Sequence, residues 1–184
     1  GWKKGNAGRI AEWMDTVAEF DKLNSIANYV YNHPAYCTAL LAEDLSLNAV
    51  QMGHPLLNPN KRVDNDLSFN GYKYVLLTGS NMSGKSTFLR AIGLNLVLMK
   101  IGSSICAERF SAHTFTLLSS MRQVDSLDKD ESYFQAEVLR LKRIKEVLDS
   151  GQRCFVLLDE ILRGTNSDDK RRGTALFMEK IASS

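Results

Sequence analysis

The segment Gly79-Ser80-Asn81-Met82-Ser83-Gly84-Lys85-Ser86-Thr87 most constrains what this chain can fold into. It fits G-x-x-x-x-G-K-[ST], with the apolar run Tyr74-Val75-Leu76-Leu77 before it and a largely apolar stretch, Ser86 to Lys100, after it. The pattern predicts a buried strand, a tight loop and a sandwiched helix. Gly79 and Gly84 allow backbone conformations closed to other residues, so that successive N–H groups converge on a phosphate. The following helix adds the positive end of its dipole. Lys85 supplies a mobile charge for the outer phosphates, and the Ser86 hydroxyl is placed to ligate Mg²⁺. The bland alternative is a glycine-rich strand-to-helix turn with a coincidental lysine, and the flanking pattern weighs against it.

A second motif strengthens the first. Phe155-Val156-Leu157-Leu158 reads as a buried strand that delivers Asp159 and Glu160 at its carboxyl end. In open parallel sheets ligands bind at that edge, so the acids and the loop are expected to face one crevice. Asp159 is expected to hold Mg²⁺ through a water, and Glu160 to orient or deprotonate a water attacking the terminal phosphate. A strand-end capping role is the alternative. An acid doublet abutting a buried strand is costly without a cation, which disfavours it. A small-molecule kinase does not require a glutamate directly after its magnesium aspartate, so the doublet points to hydrolysis and conformational work.

The rest of the chain supplies the frame. From Arg9 to Tyr31, apolar residues at Ile10, Trp13, Val17, Phe20, Leu23, Ala27 and Val30 form a helical stripe. A shorter helix is predicted from Pro34 to Leu41. Leu47–Met52, Leu67–Tyr72 and Phe115–Met121 read as strands. Glu131–Asp149 reads as a helix with Phe134, Val138, Leu141 and Leu148 on its apolar face and Arg140, Lys142, Arg143, Lys145 and Glu146 on a solvated one. A last helix is predicted over Gly173–Ile181. Strands alternating with helices predict an α/β domain with a central, mostly parallel sheet behind an N-terminal helical segment. The expected division is residues 1–44 and 45–184.

Several segments together resemble the ATPase domain of MutS-type DNA mismatch-repair proteins, an ABC-like P-loop NTPase fold. Thr78 to Arg90 is similar to that family's T-G-P-N-M-x-G-K-S-T-x-x-R, with Ser80 in place of Pro. Gly53-His54-Pro55, Val63 with Asn65-Asp66, Ile101 to Ala107, and Asp159-Glu-Ile-Leu-Arg-Gly-Thr165 resemble further family elements. The likeness spans about Gly53 to Thr174, and the preceding helices resemble a lever region. It implies ATP or ADP and Mg²⁺ as ligands, with Gly79 through Thr87 on the nucleotide and Ser86 and Asp159 on the metal. It also implies Glu160 and a trans-acting Ser132 as catalytic groups. Ser132-Tyr133-Phe134 and Gln123-Val124-Asp125-Ser126 depart from the family pattern and mark a divergent branch. The family's next strand and its histidine have no counterpart after the acid pair, nor has its mismatch-reading domain before the helices, so a fragment is expected. His33, His54 and His113 are all wrongly placed to substitute. A homodimer in the full-length protein and DNA contacts through other regions are further implications, with slow turnover by this stretch alone.

Other function classes fare worse. A structural-maintenance or transporter-type ATPase needs an L-S-G-G-Q-like signature, which is missing from the sequence. A non-catalytic nucleotide-responsive module sits poorly with intact Lys85, Ser86, Asp159 and Glu160. With 23 Lys+Arg against 21 Asp+Glu, the net charge of +2 does not argue for direct DNA binding. Three distant cysteines (Cys37, Cys106 and Cys154) form no disulfide scaffold and fit a reducing compartment. The most apolar stretch, Ala91 to Gly102, is broken by Asn95 and Lys100 and too short for a membrane span, and Gly1 to Gly5 has no apolar h-region. A soluble cytoplasmic protein is expected.

Overall fold

The computed structural model describes residues 2–6, 8–71, 74–80, 82–121, 133–162 and 166–183. Two helices open the chain, α1 (Trp2–Asn6) and α2 (Ile10–Asn32). They are followed by β1 (Leu40–Leu41), β2 (Ser46–Met52) and β3 (Asn65–Asn70), then α3 (Lys85–Lys100). The remainder comprises β4 (Arg109–Ala112), β5 (Thr116–Ser120), α4 (Tyr133–Asp149), β6 (Cys154–Leu158) and α5 (Ser167–Ser183).

Among the described residues two sheets form, in place of the central, mostly parallel one that alternation suggested. The larger has the order β1-β4-β2-β3 and is mixed, with β2 antiparallel to both β3 and β4 and β1 parallel to β4. The smaller pairs β5 with β6 in parallel, Leu117 opposite Phe155 and Leu118 opposite Val156. Parallel strands need cover on both faces, and alternation along β6 provides it. Phe155 and Leu157 join Ile92, Leu96 and Met99 of α3, while Val156 and Leu158 pack towards Leu141 and Ile144 of α4 and Phe177 of α5.

Helix α3 also packs against the larger sheet, because the same core holds Leu47, Ala49 and Met52 of β2 and Phe110 and Ala112 of β4. Its buried residues, Ala91, Ile92, Asn95, Leu96 and Met99, form one stripe while Arg90, Val97 and Lys100 are exposed, so the helix is buried on one face and not sandwiched as expected. A Cβ at Gly93 would lie 3.0 Å from Leu157 Cδ1, so helix and strand approach closely there.

Three local expectations are corrected. No helix follows Pro34: Tyr36 N–H donates to His33 O, Cys37 bridges Ile105, and Leu40–Leu41 becomes an edge strand on β4. Tyr74–Leu77 is not a buried strand; it pairs with no sheet and stays exposed, Leu76 at 78%. A strand is stable only where another offers its ladder, and an apolar run cannot encode that partner. On α4, Val138 faces solvent while Glu137 and Ile144 are buried. The charged face of α4 is solvated as expected, with Lys142 beside Glu146 at 3.8 Å and Lys145 paired with Asp149. The stripe on α2 is formed but buries none of its residues. No helix among the described residues is long and apolar enough to cross a membrane.

Candidate functional site

The loop before α3 has the backbone its sequence demands. Gly79 takes φ +155° and Gly84 φ +88°, both in the region that favours glycine. A Cβ at Gly79 would stand 2.9 Å from Ser83 Oγ, filling the inside of the loop. Ser83 N–H donates to Ser80 O at 3.3 Å, closing the turn. Gly84 is the N-cap of α3 and contributes no side-chain cap to the first-turn N–H groups. The Lys85 ammonium curls back into this concavity, donating to Gly79 O at 2.8 Å and Ser80 O at 2.6 Å. Ser86 follows, half-buried, and Thr87 and Met82 are exposed. A helix N-terminus and an ammonium resting on two backbone carbonyls suit a phosphate.

The acids sit at the end of β6. Asp159 N–H donates to Ser120 O at 2.9 Å, which continues the β5–β6 ladder one step and fixes where this half-buried acid leaves the sheet. Glu160 is exposed with φ +47°, and Leu162 has φ +58°. Left-handed conformations cost non-glycine residues about 1–2 kcal/mol each, so the surroundings must impose them. Ile161 and Leu162 are buried against Leu141 and Ile144. Glu137 Oε1 accepts the Leu162 N–H at 2.7 Å. No group of three or more His, Cys, Asp or Glu able to hold a metal occurs among the described residues. Hydroxyl and carboxylate oxygens such as those of Ser86 and Asp159 are of the donor type that Mg²⁺ prefers.

Gly53-His54-Pro55 is tied to α3. The Asn95 side chain, 0% exposed, donates to Gly53 O at 3.0 Å and to Ala91 O, and accepts the Cys106 N–H at 2.9 Å. His54 Nδ1 accepts the Leu56 N–H at 3.3 Å. Burial, and then the Arg90 charge, lower the His54 pKa below 6.5 against an opposing backbone hydrogen bond. Below Gly53, Arg62 donates to both Asp64 oxygens and to Tyr36 Oη, and burial pushes the Tyr36 phenol up to about 12. A Cβ at Gly53 would collide with the Arg62 and Asp64 side chains.

Of the site residues expected from sequence, Gly79, Ser80, Met82, Ser83, Gly84, Lys85, Ser86 and Thr87 form one loop and helix start, and Asp159 and Glu160 end a strand packed on that helix. Asn81, Ser132, Gln123–Ser126 and Arg163–Thr165 lie outside the described residues. Glu137 and Asn95 were not singled out as site residues. Each is a polar residue at an apolar position of its helical stripe, which is the signal that marks both.

Residues 75–182 match the family model "MutS domain V". The chain is 33% identical over 168 residues to the DNA mismatch repair protein MutS of Ehrlichia ruminantium (strain Welgevonden), covering 89% of this chain and 20% of that protein. It is 32% identical over 166 residues to the DNA mismatch repair protein MutS of Thermotoga maritima, covering 87% and 20%. Similarity to the DNA mismatch repair protein MSH3 of Vanderwaltozyma polyspora is 28% over 164 residues, covering 85% and 16%. The chain thus spans about a fifth or less of the length of these curated relatives.

Proposed function

Since this chain belongs to the MutS family, we propose that it is the ATP-binding and ATP-hydrolysing part of a DNA mismatch-repair-type protein, with residues 1–44 a lever-like segment and 45–184 the nucleotide-handling unit. The observation that carries this reading is the loop at the start of α3, where Gly79 and Gly84 take left-handed conformations and the Lys85 ammonium lies within the loop. In this reading the backbone of Gly79 to Thr87 cradles the phosphates, and Lys85 leaves its two carbonyls for the outer ones. Ser86 and Asp159 would hold Mg²⁺, which neutralises charge on the phosphates when bound. Glu160 orients the attacking water and takes its proton. Ser132 would act on nucleotide across a homodimer. DNA contacts would come from other regions of the protein, which would work in the cytoplasm.

Calorimetric titration with MgATP tests the reading. A contact to a charged group is worth about 1.5–3 kcal/mol, so Lys85→Ala is expected to weaken binding about tenfold or more. Equal affinity of variant and parent would remove the assignment.

A further inference from the structure

Glu137 lies in the second turn of α4, on the stripe Glu137, Leu141, Ile144, and is only 7% exposed. A carboxyl group at that depth is rare and costly unless a specific partner occupies it. Its Oε1 takes the backbone N–H of Leu162 at 2.7 Å, across 25 residues of sequence and at the short end of the N–H···O range.

The accepted group belongs to a strained loop. Glu160 and Leu162 both have positive φ, with Ile161 between them turned into the core. Two kinds of contact among the described residues hold the loop. One is apolar: Ile161 and Leu162 pack on Leu141 and Ile144, and α5 comes so close that a Cβ at Gly173 would lie 2.6 Å from Leu162 Cδ1. Apolar contact is non-directional, so it fixes how deep the loop sits more than how its peptide planes are turned. The other is the Glu137 hydrogen bond, which is directional. It fixes the peptide joining Ile161 to Leu162, one peptide downstream of the bond between Glu160 and Ile161. Release of that bond is expected to let the loop relax towards negative φ, which would re-aim Glu160.

We propose that Glu137 is a positioning residue for Glu160, holding the acid in its left-handed conformation by capping the Leu162 N–H from α4. This rests on the reading of Glu160 as the group that orients the attacking water. Helix α4 is thereby joined by a directional bond to the loop that carries this acid, so a displacement of α4 reaches Glu160 without passing through the nucleotide loop.

The test uses the protein at its full natural length and compares the parent with Glu137→Ala, Glu137→Met and Glu137→Gln. Methionine fills the space without an oxygen, whereas glutamine keeps an oxygen for the Leu162 N–H. Misplacing a catalytic group by about 1 Å costs about 10²-fold, so Ala and Met are expected to lower kcat by about that factor. ATP affinity should stay within about threefold of the parent, since the loop at residues 79–87 is untouched. Gln should regain most of the lost kcat, and Leu162 amide exchange should accelerate in Ala and Met but not in Gln. Should Ala fail to fold, Met against Gln decides the matter. A kcat unchanged in Met, affinity falling in step with kcat, or Gln no better than Met would each overturn the proposal. A parent with no ATP turnover defeats the reading of Glu160 and this inference with it; a parent that turns over beside an equally active Met variant defeats this inference alone.

Discussion

His54 links ionisation to folding through one imidazole. Its Nδ1 is an acceptor for the Leu56 N–H, and burial followed by the Arg90 charge favours the neutral ring. The folded protein therefore binds a proton here less readily than the unfolded chain, whose His titrates near 6.5. The stability so contributed is complete above that pH and disappears as pH falls through the lowered folded value. Unfolding midpoints measured between pH 7.5 and 5 should fall, and His54→Gln should flatten the slope in that window; an unchanged slope would contradict the assignment. At this scale the sequence was most legible where chemistry restricts residue type. Gly79 and Gly84 have the conformations their positions required. Glu160 and Leu162 could not be anticipated, because nothing in a glutamate or a leucine announces positive φ.

Among the elements, α3 carries the most connections, and Asn95 is its polar fastening. Its amide joins the helix to Gly53 and Cys106, two loops distant in sequence. Asn95→Leu keeps the volume but leaves the buried Gly53 carbonyl and Cys106 N–H without that partner. At about 1–3 kcal/mol for each unsatisfied group, the variant should lose about 2–6 kcal/mol in urea unfolding. A loss below about 1 kcal/mol would mean that water or a shifted loop replaces the amide. Long elements were read well: α2, α3, α4, β2 and β6 lie within a few residues of their periodicities. The failures share a cause. Strand β4 spans four residues and exists because β1 and β2 flank it, whereas Tyr74–Leu77 has strand composition and no flanking ladder. Pairing is non-local information, and a local pattern does not hold it.

At the scale of the whole molecule, the α/β class follows from alternation, but the division into a mixed sheet and a parallel pair does not. The backbone of the loop before α3 was more legible than the fold around it, because positive φ restricts residue type within a single loop while sheet order depends on distant partners. Helix α3 shares one apolar cluster with both sheets, in which Leu47 and Phe110 lie with Phe155 and Leu157, and Phe69 of β3 meets Phe155 of β6 ring to ring at 5.4 Å. Neither sheet has a private interior on that side. Loosening one exposes the helix that the other needs, so partial melting gains little entropy and forfeits burial on both sides. The thermal transition is therefore expected to be cooperative: calorimetric and van't Hoff enthalpies should agree, and near- and far-ultraviolet dichroism should change together. Two separated heat-absorption peaks would show that the sheets melt independently. A chain wired in this way transmits damage as readily as it shares support, and a cavity cut at Leu96 should lower the melting temperature of β2 and of β6 by the same amount.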